Sequence, residues 1–291
     1  MDLLIWELHS RSLFNITQPF FISSVIISTP TKCETIAKTV CMNSLKPVTL
    51  DQPKMKVEVW SDIMCPFCYI GKRNYESALS RFEGKDNIEI EWRSFQLDPT
   101  IPKNSAGKEN VYQYLANKKG MTYEQSAKMH ERVIQLARNA GLDYRFDKAV
   151  VANSFDAHKM IQLAKTKGLG DAAEERLFHA YFTEGKDFGD HDTLVSIGKE
   201  IGLEEEEIKS ALISDAYAEK VEEDIQEASE IGVQGVPFFV FDRKYAVSGA
   251  QPPEHFLQAL DQSFSEWKKN NPVSNLVMEE GIVCKPGEDC L

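Results

Sequence analysis

Apolar and polar side chains alternate over 56–60 and again over 87–95, where Ile88, Ile90 and Trp92 share one face. Alternation of this kind predicts half-buried strands. The stretch between them, Pro66 to about Phe82, has the length of a helix and closes at Glu83-Gly84-Lys85. Strand, helix, strand in that order predicts a parallel pair joined by a right-handed crossover. From 105 to 231 strand signals disappear. Thr122 with Gln125, and Asp171 with Glu174, have capping-box spacing, with Asp replacing Ser or Thr in the second. Gly120, Gly141, Gly168 and Gly202 stand where helices would stop. The spacing predicts helices over 108–118, 122–139, 154–167, 172–183, 192–201 and 204–231, the last broken near Ser214-Asp215. Its acidic start, 204–207, reads as a solvated first turn favoured by the helix dipole. Strand character returns over 236–241 and 244–248, around a hairpin-length Asp242-Arg243 turn. A closing helix runs from Pro253 to Lys269. The sheet therefore has to be assembled from both ends of the chain.

Residues 1–54 follow neither periodicity. The apolar run 19–27 is too short to span a bilayer. Acids in the leading region and the lack of a small-x-small cleavage site do not fit a secretory signal, and Arg is too scarce for a transit peptide. Three readings stay open: a leader translated from upstream of a true start at Met55, an extension with a docking role, or a targeting segment. The expected organisation is a leader (1–54), an α/β domain in two parts (55–104 and 232–270), a helical insertion (105–231) and a flexible tail with two Cys (271–291).

With 42% apolar and 27% charged residues, the 291-residue chain has the make-up of a soluble globular protein. Its 33 Lys+Arg against 45 Asp+Glu give a net charge of −12, which argues against nucleic acid and against anionic lipid as partners. Six Cys are too few for a disulfide-built secreted scaffold. They matter through their spacing.

Cys65-Pro66-Phe67-Cys68 follows the first strand and opens the first helix. Two Cys three apart on a helix come close to the separation a disulfide needs. Cys65 at the helix start meets the positive dipole end, which favours its thiolate, and Pro66 suits the first helical position. Cys68, a turn inside and facing the sheet, is the expected buried resolving thiol. The same spacing also serves as half of a zinc site, but further ligands would have to come from the distant Cys284 and Cys290. Val236-Pro237 opens a strand with a residue that cannot donate to the ladder. Alone it suggests an edge strand; with the dithiol it suggests a cis proline turn facing Cys65, where the Val236 backbone can pair with a substrate strand. Trp60, Phe67 and Tyr69 bracket the dithiol, as an apolar rim for flexible substrates or as core. His158 either lines the cleft above Cys65 and helps proton transfer or is an exposed His on a capped helix. His179 and His191 have no ligand spacing and read as surface.

The segments Trp60-Ser61-Asp62-Ile63-Met64-Cys65-Pro66-Phe67-Cys68-Tyr69-Ile70-Gly71 and Gly232-Val233-Gln234-Gly235-Val236-Pro237-Phe238-Phe239-Val240 resemble the DsbA-like branch of the thioredoxin superfamily. Val247-Ser248-Gly249-Ala250-Gln251 and Asn153-Ser154-Phe155-Asp156-Ala157-His158 resemble its FrnE-like subgroup in particular. The resemblance covers roughly 56–260, with four motifs in the family's order. It implies a thioredoxin fold with an inserted all-helical domain and thiol–disulfide oxidoreductase activity. Position by position, Cys65 would attack, Cys68 would resolve and Pro237 would be the cis proline. Strongly oxidising periplasmic members carry His inside the dithiol motif, where this chain has Phe67. That difference implies a less oxidising couple and, with no convincing signal peptide, a cytoplasmic location. Glutathione-binding relatives, the kappa-class glutathione transferases and 2-hydroxychromene-2-carboxylate isomerases, commonly place Ser where Cys65 stands. Two retained Cys favour redox chemistry over a glutathione-dependent isomerase or transferase, which stays as the alternative beside a non-enzymatic chaperone. The implied partners are protein or small-molecule thiols and disulfides, for a monomer or dimer with no resident cofactor or metal and glutathione at most as co-substrate. Cys284 and Cys290 would form a second redox pair resembling the paired-Cys tail of some FrnE-like proteins; exposed thiols in a flexible tail, or metal binding, are the other readings.

Overall fold

In the computed structural model, which describes residues 53–103 and 109–271, the central strand β1 (Met55–Ser61) is paired on both edges. On one side β2 (Ile88–Ser94) runs parallel, with Trp92 opposite Val59. On the other, β3 (Phe238–Phe241) runs antiparallel, with Phe239 opposite Val59, and β4 (Tyr245–Ser248) completes the order β2-β1-β3-β4. The expected strand start at Val236 moves to Phe238, because Pro237 has no N–H to give to the ladder. The expected readings for the leader up to residue 52 and for Cys284 and Cys290 lie outside the described residues.

β1 is buried on both faces, so its alternation separates two cores rather than core from water. Met55, Val57 and Val59 pack with Tyr75, Phe239, Phe256 and Trp267 beneath α1 (Pro66–Arg81) and α9 (Pro253–Asn270). Trp60 packs with Ala228, Val233 and Val240 on the opposite side. The helical stretch comprises α2 (Val111–Lys119), α3 (Tyr123–Asn139), α4 (Phe155–Thr166), α5 (Gly170–His179), α6 (His191–Glu200), α7 (Glu205–Ile213) and α8 (Asp215–Glu230). The break between α7 and α8 falls at Ser214, which is extended (ψ 130). A π-helical turn, Ala180–Glu184, carries α5 on to Gly185.

The two capping-box patterns come out differently. Thr122 and Gln125 form the reciprocal pair at the start of α3. Asp171 does not cap α5, which is preceded by Leu169. Its carboxylate instead accepts from Trp92 Nε1 at 3.0 Å and lies 3.1 Å from Lys72 Nζ, drawing α5 onto β2 and α1. Lys72 is almost fully buried (2% exposed) and also pairs with Glu76 and Glu175. The helical stretch consequently shares one core with the dithiol end of α1: Ile63, Cys65, Cys68 and Tyr69 belong to the cluster that includes Tyr144, Met160, Phe178 and Phe182.

Candidate active site

The turn from β1 into α1 is held by Asp62. Its backbone carbonyl accepts from Cys65 N at 2.9 Å, and its carboxylate accepts from Met64 N (3.2 Å) and Leu97 N (2.7 Å). Cys65 is the N-cap residue of α1 and Pro66 its first helical residue, as the spacing predicts. Tyr144 reaches over from the helical stretch and donates its hydroxyl to Pro66 O at 2.7 Å. Both Cys65 and Cys68 are free thiols, 3% and 0% exposed. Burial, together with the neighbouring Cys65 sulfur, pushes the Cys68 thiol well above its ordinary range; the Asp62 backbone and the Ser61 hydroxyl oppose this without overcoming it. The inner thiol is therefore held protonated at neutral pH.

The Val236–Pro237 peptide bond is cis, and the Cys65 thiol faces the Val236 carbonyl, Sγ to O 3.4 Å. Two neighbours fix that segment. Gly249 N donates to Pro237 O at 2.8 Å, and Gly71 on α1 lets the proline ring approach the helix. A Cβ at Gly71 would lie 2.9 Å from Pro237 Cγ and 3.5 Å from Phe239 Cε2. Phe239 is in ordinary contact, but the short proline ring has to give way, so Gly71→Ala is expected to cost about 1–3 kcal/mol by overpacking and to displace the carbonyl that faces Cys65. Thermal denaturation checks the first effect and exchange kinetics the second; an unchanged Tm would mean that the segment yields freely.

The other expected site residues divide. Phe67 stands beside the dithiol and is 41% exposed. Val236 is half-buried. Trp60 is not part of a rim: it is fully buried, packs on the sheet face opposite α1, and donates its indole N–H to Asp224 O at 2.9 Å. Tyr69 is likewise core, stacked on Phe178 at 5.0 Å with its hydroxyl donating to Glu175 at 2.7 Å. His158 is neither exposed nor in an open cleft. It is fully buried, its Nε2–H donates to Phe95 O at 2.9 Å, and Nε2 lies 3.8 Å from Asp62 Oδ1. Sequence reasoning missed Leu97, an apolar side chain 45% exposed whose backbone is tied to Asp62. It also missed the positioning done by Asp62, Gly71 and Tyr144. Of these, Gly71 alone carried a signal: a glycine inside a helix pattern asks for a close approach.

Two thiols at the start of a helix, one against a cis proline turn and the other sealed beneath it, on a β2-β1-β3-β4 sheet, define a thioredoxin-fold dithiol protein. The chain belongs to the DSBA-like thioredoxin domain family, whose pattern matches residues 56–261. It is 37% identical to a probable DsbA oxidoreductase from Streptomyces coelicolor, over 80% of this chain and 97% of that one, with a TM-score of 0.69. It is 28% identical to the uncharacterized protein YwbO of Bacillus subtilis, over 70% of this chain and 94% of the relative. The cytosolic disulfide reductase DsbM of Pseudomonas aeruginosa shares the fold at 16% identity, covering 72% of this chain and 99% of its own, with a TM-score of 0.54. Among the described residues, no helix is long and apolar enough to cross a membrane.

Proposed function

We propose that this protein is a thiol–disulfide oxidoreductase that exchanges disulfides with protein or small-molecule thiols through Cys65 and Cys68. One observation carries the reading: the outer thiol faces the Val236 carbonyl at 3.4 Å, and the inner thiol, completely buried, is held in its protonated form. That asymmetry supports the following steps. In reduction, the Cys65 thiolate attacks a substrate disulfide sulfur and expels one substrate thiolate. Cys68 then loses its proton, attacks Cys65 Sγ, and releases the second substrate thiolate as the Cys65–Cys68 disulfide forms. Oxidation of a substrate dithiol runs the same steps backwards. The Val236 carbonyl is an acceptor for a substrate backbone N–H, and Phe67, inside the dithiol motif, and Leu97, whose N–H is held by Asp62, offer exposed apolar side chains at the dithiol end of α1.

Phe67 supplies neither a cation nor a hydrogen-bond donor to the Cys65 thiolate, which favours a reducing couple over a strongly oxidising one. Glutathione is the proposed electron donor, and no resident cofactor enters the steps. Equilibration of the dithiol with glutathione buffers, followed by mass spectrometry, gives the potential. Reduction of insulin disulfides by dithiothreitol gives turnover. A dithiol that never closes to an intramolecular disulfide, with no acceleration of insulin reduction, would overturn the proposal. Turnover of a substrate without disulfides that depends on glutathione would replace it with an isomerase or transferase.

A further inference from the structure

Tyr144 stands between the helical stretch and the dithiol. It is 3% exposed, and its hydroxyl donates to Pro66 O at 2.7 Å. Its ring stacks on Phe182 at 4.4 Å and meets Phe146 edge-on at 5.5 Å. The chain on both sides of it is tied to the π-helical turn: Thr183 Oγ1 donates to Asp143 O at 2.9 Å, and Arg145 N donates to Phe182 O at 2.6 Å. A π turn inside a helix is uncommon and often accompanies a functional site. Here its bonds bracket the residue that touches the start of α1. A Phe would keep the same ring contacts without burying a hydroxyl. Burial pushes that hydroxyl well above its ordinary range, and the Cys65 and Cys68 sulfurs add to the effect, so Tyr144 stays a donor at neutral and mildly alkaline pH.

The Pro66 carbonyl and the Phe67 N–H belong to one peptide unit. Phe67 is the second residue of α1, where an N–H has no acceptor within the helix, and it has none elsewhere among the described residues. An N-cap side chain is the ordinary partner of that N–H, and the N-cap here is Cys65. The demand comes from the ionised sulfur. As a thiol, Cys65 Sγ donates to Val236 O at 3.4 Å; as a thiolate it faces the same oxygen with nothing to donate. The Phe67 side chain carries no donor to answer this. We propose that Tyr144 is a positioning residue that polarises the Pro66–Phe67 peptide and so strengthens the Phe67 N–H as a donor to the Cys65 thiolate. The inference rests on the dithiol-exchange reading. A hydrogen bond received at a carbonyl makes the N–H of the same peptide a stronger donor, as in any hydrogen-bond chain in a low-dielectric interior. By stabilising the reduced form, the chain also makes the couple more oxidising than an unaided helix start would.

The test compares wild type with Tyr144→Phe in two reactions. In the first, the reduced full-length protein is alkylated with iodoacetamide from mildly acidic to alkaline pH, and the Cys65 peptide is followed by mass spectrometry. Tyr144→Phe is expected to react about two- to threefold more slowly at neutral pH. At alkaline pH, where Cys65 is ionised in both proteins, it should match or exceed wild type, because the less stabilised thiolate is the better nucleophile. That crossing discriminates: a misplaced Cys65 would be slow, and a loosened site fast, at every pH. In the second reaction, glutathione buffers set the Cys65–Cys68 equilibrium, which should move about two- to fivefold toward the disulfide in Tyr144→Phe. Absence of either the crossing or the equilibrium shift overturns the proposal. A wild-type dithiol that never closes in those buffers overturns the dithiol-exchange reading instead.

An amide measurement on wild type keeps the test open even if the variant misfolds. In protein carrying isotope-labelled phenylalanine, the Phe67 N–H resonance is expected to move downfield with pH in step with the alkylation rate of Cys65. A Phe67 N–H that stays in place while that rate rises overturns the proposal.

Discussion

Cys65→Ser is expected to reduce disulfide exchange to the uncatalysed background, whereas Cys68→Ser leaves the first attack intact and accumulates mixed disulfides on Cys65. The difference follows from where the two sulfurs stand. Cys65 faces the Val236 carbonyl at the edge of the site, and Cys68 is sealed from solvent. Substrate disulfides therefore meet Cys65 first, and a hydroxyl there is no nucleophile at neutral pH. Without the inner sulfur nothing attacks the mixed disulfide, which non-reducing mass spectrometry detects as an adduct of substrate mass. Cys65 lies within the apolar cluster at the start of α1. Serine there still inherits the Val236 carbonyl as acceptor, so the fold should lose no more than about 1 kcal/mol. Equal residual turnover in both variants would overturn the assignment.

Arg93→Ala is expected to cost roughly 3–5 kcal/mol of stability, a Tm loss of about 6–20 °C for a domain of this size. Glu58, 2% exposed in the middle of β1, accepts from Arg93 Nη2 at 2.6 Å and Nε at 3.1 Å. Asp224 on α8, 3% exposed, accepts from Arg93 Nη1 at 2.9 Å. Removing the guanidinium leaves two buried carboxylates short of their cation. Arg243 still pairs with Glu58, and Lys165 stands 4.0 Å from Asp224, so the lower end of the range is the better expectation. Arg93→Lys should recover only part of the loss, because an ammonium cannot reproduce the two-pronged contact. Exchange activity should fall as well. Asp224 also receives Ser94 N and the Trp60 indole, and thereby anchors the end of β1 that leads into the dithiol. Full activity in an Arg93→Ala protein that melts like wild type would show that these carboxylates find other partners.

The elements were legible because each carries a local signal. Alternation marks the strands, Gly120 ends α2 in the left-handed region with φ 62, and Thr122 with Gln125 announces α3. The dithiol and the cis proline were legible too, since Cys at that spacing and Pro at a strand start are rare choices with few structural uses. Charged residues in the interior were not. Glu58 reads as the solvent side of an alternating strand, yet it is buried against Arg93 and Arg243. Glu174 reads as the end of a capping box, yet it faces inward without a partner. A buried carboxylate looks like an exposed one in sequence, because what distinguishes them is a partner or a covering helix many residues away. Trp60 was ambiguous for the same reason: the strand pattern does not show that its second face is covered.

Val236 stands 171 residues after Cys65 in the chain, although its carbonyl lies against the Cys65 thiol. The strand that follows it, β3, also supplies the second edge partner of β1. At ordinary translation speeds of about 5–20 residues per second, the ribosome needs roughly 10–30 s to travel that distance. Throughout this interval the nascent chain carries both thiols without the wall that later encloses them. The finished fold can shield the pair only when the last part of the sheet has emerged.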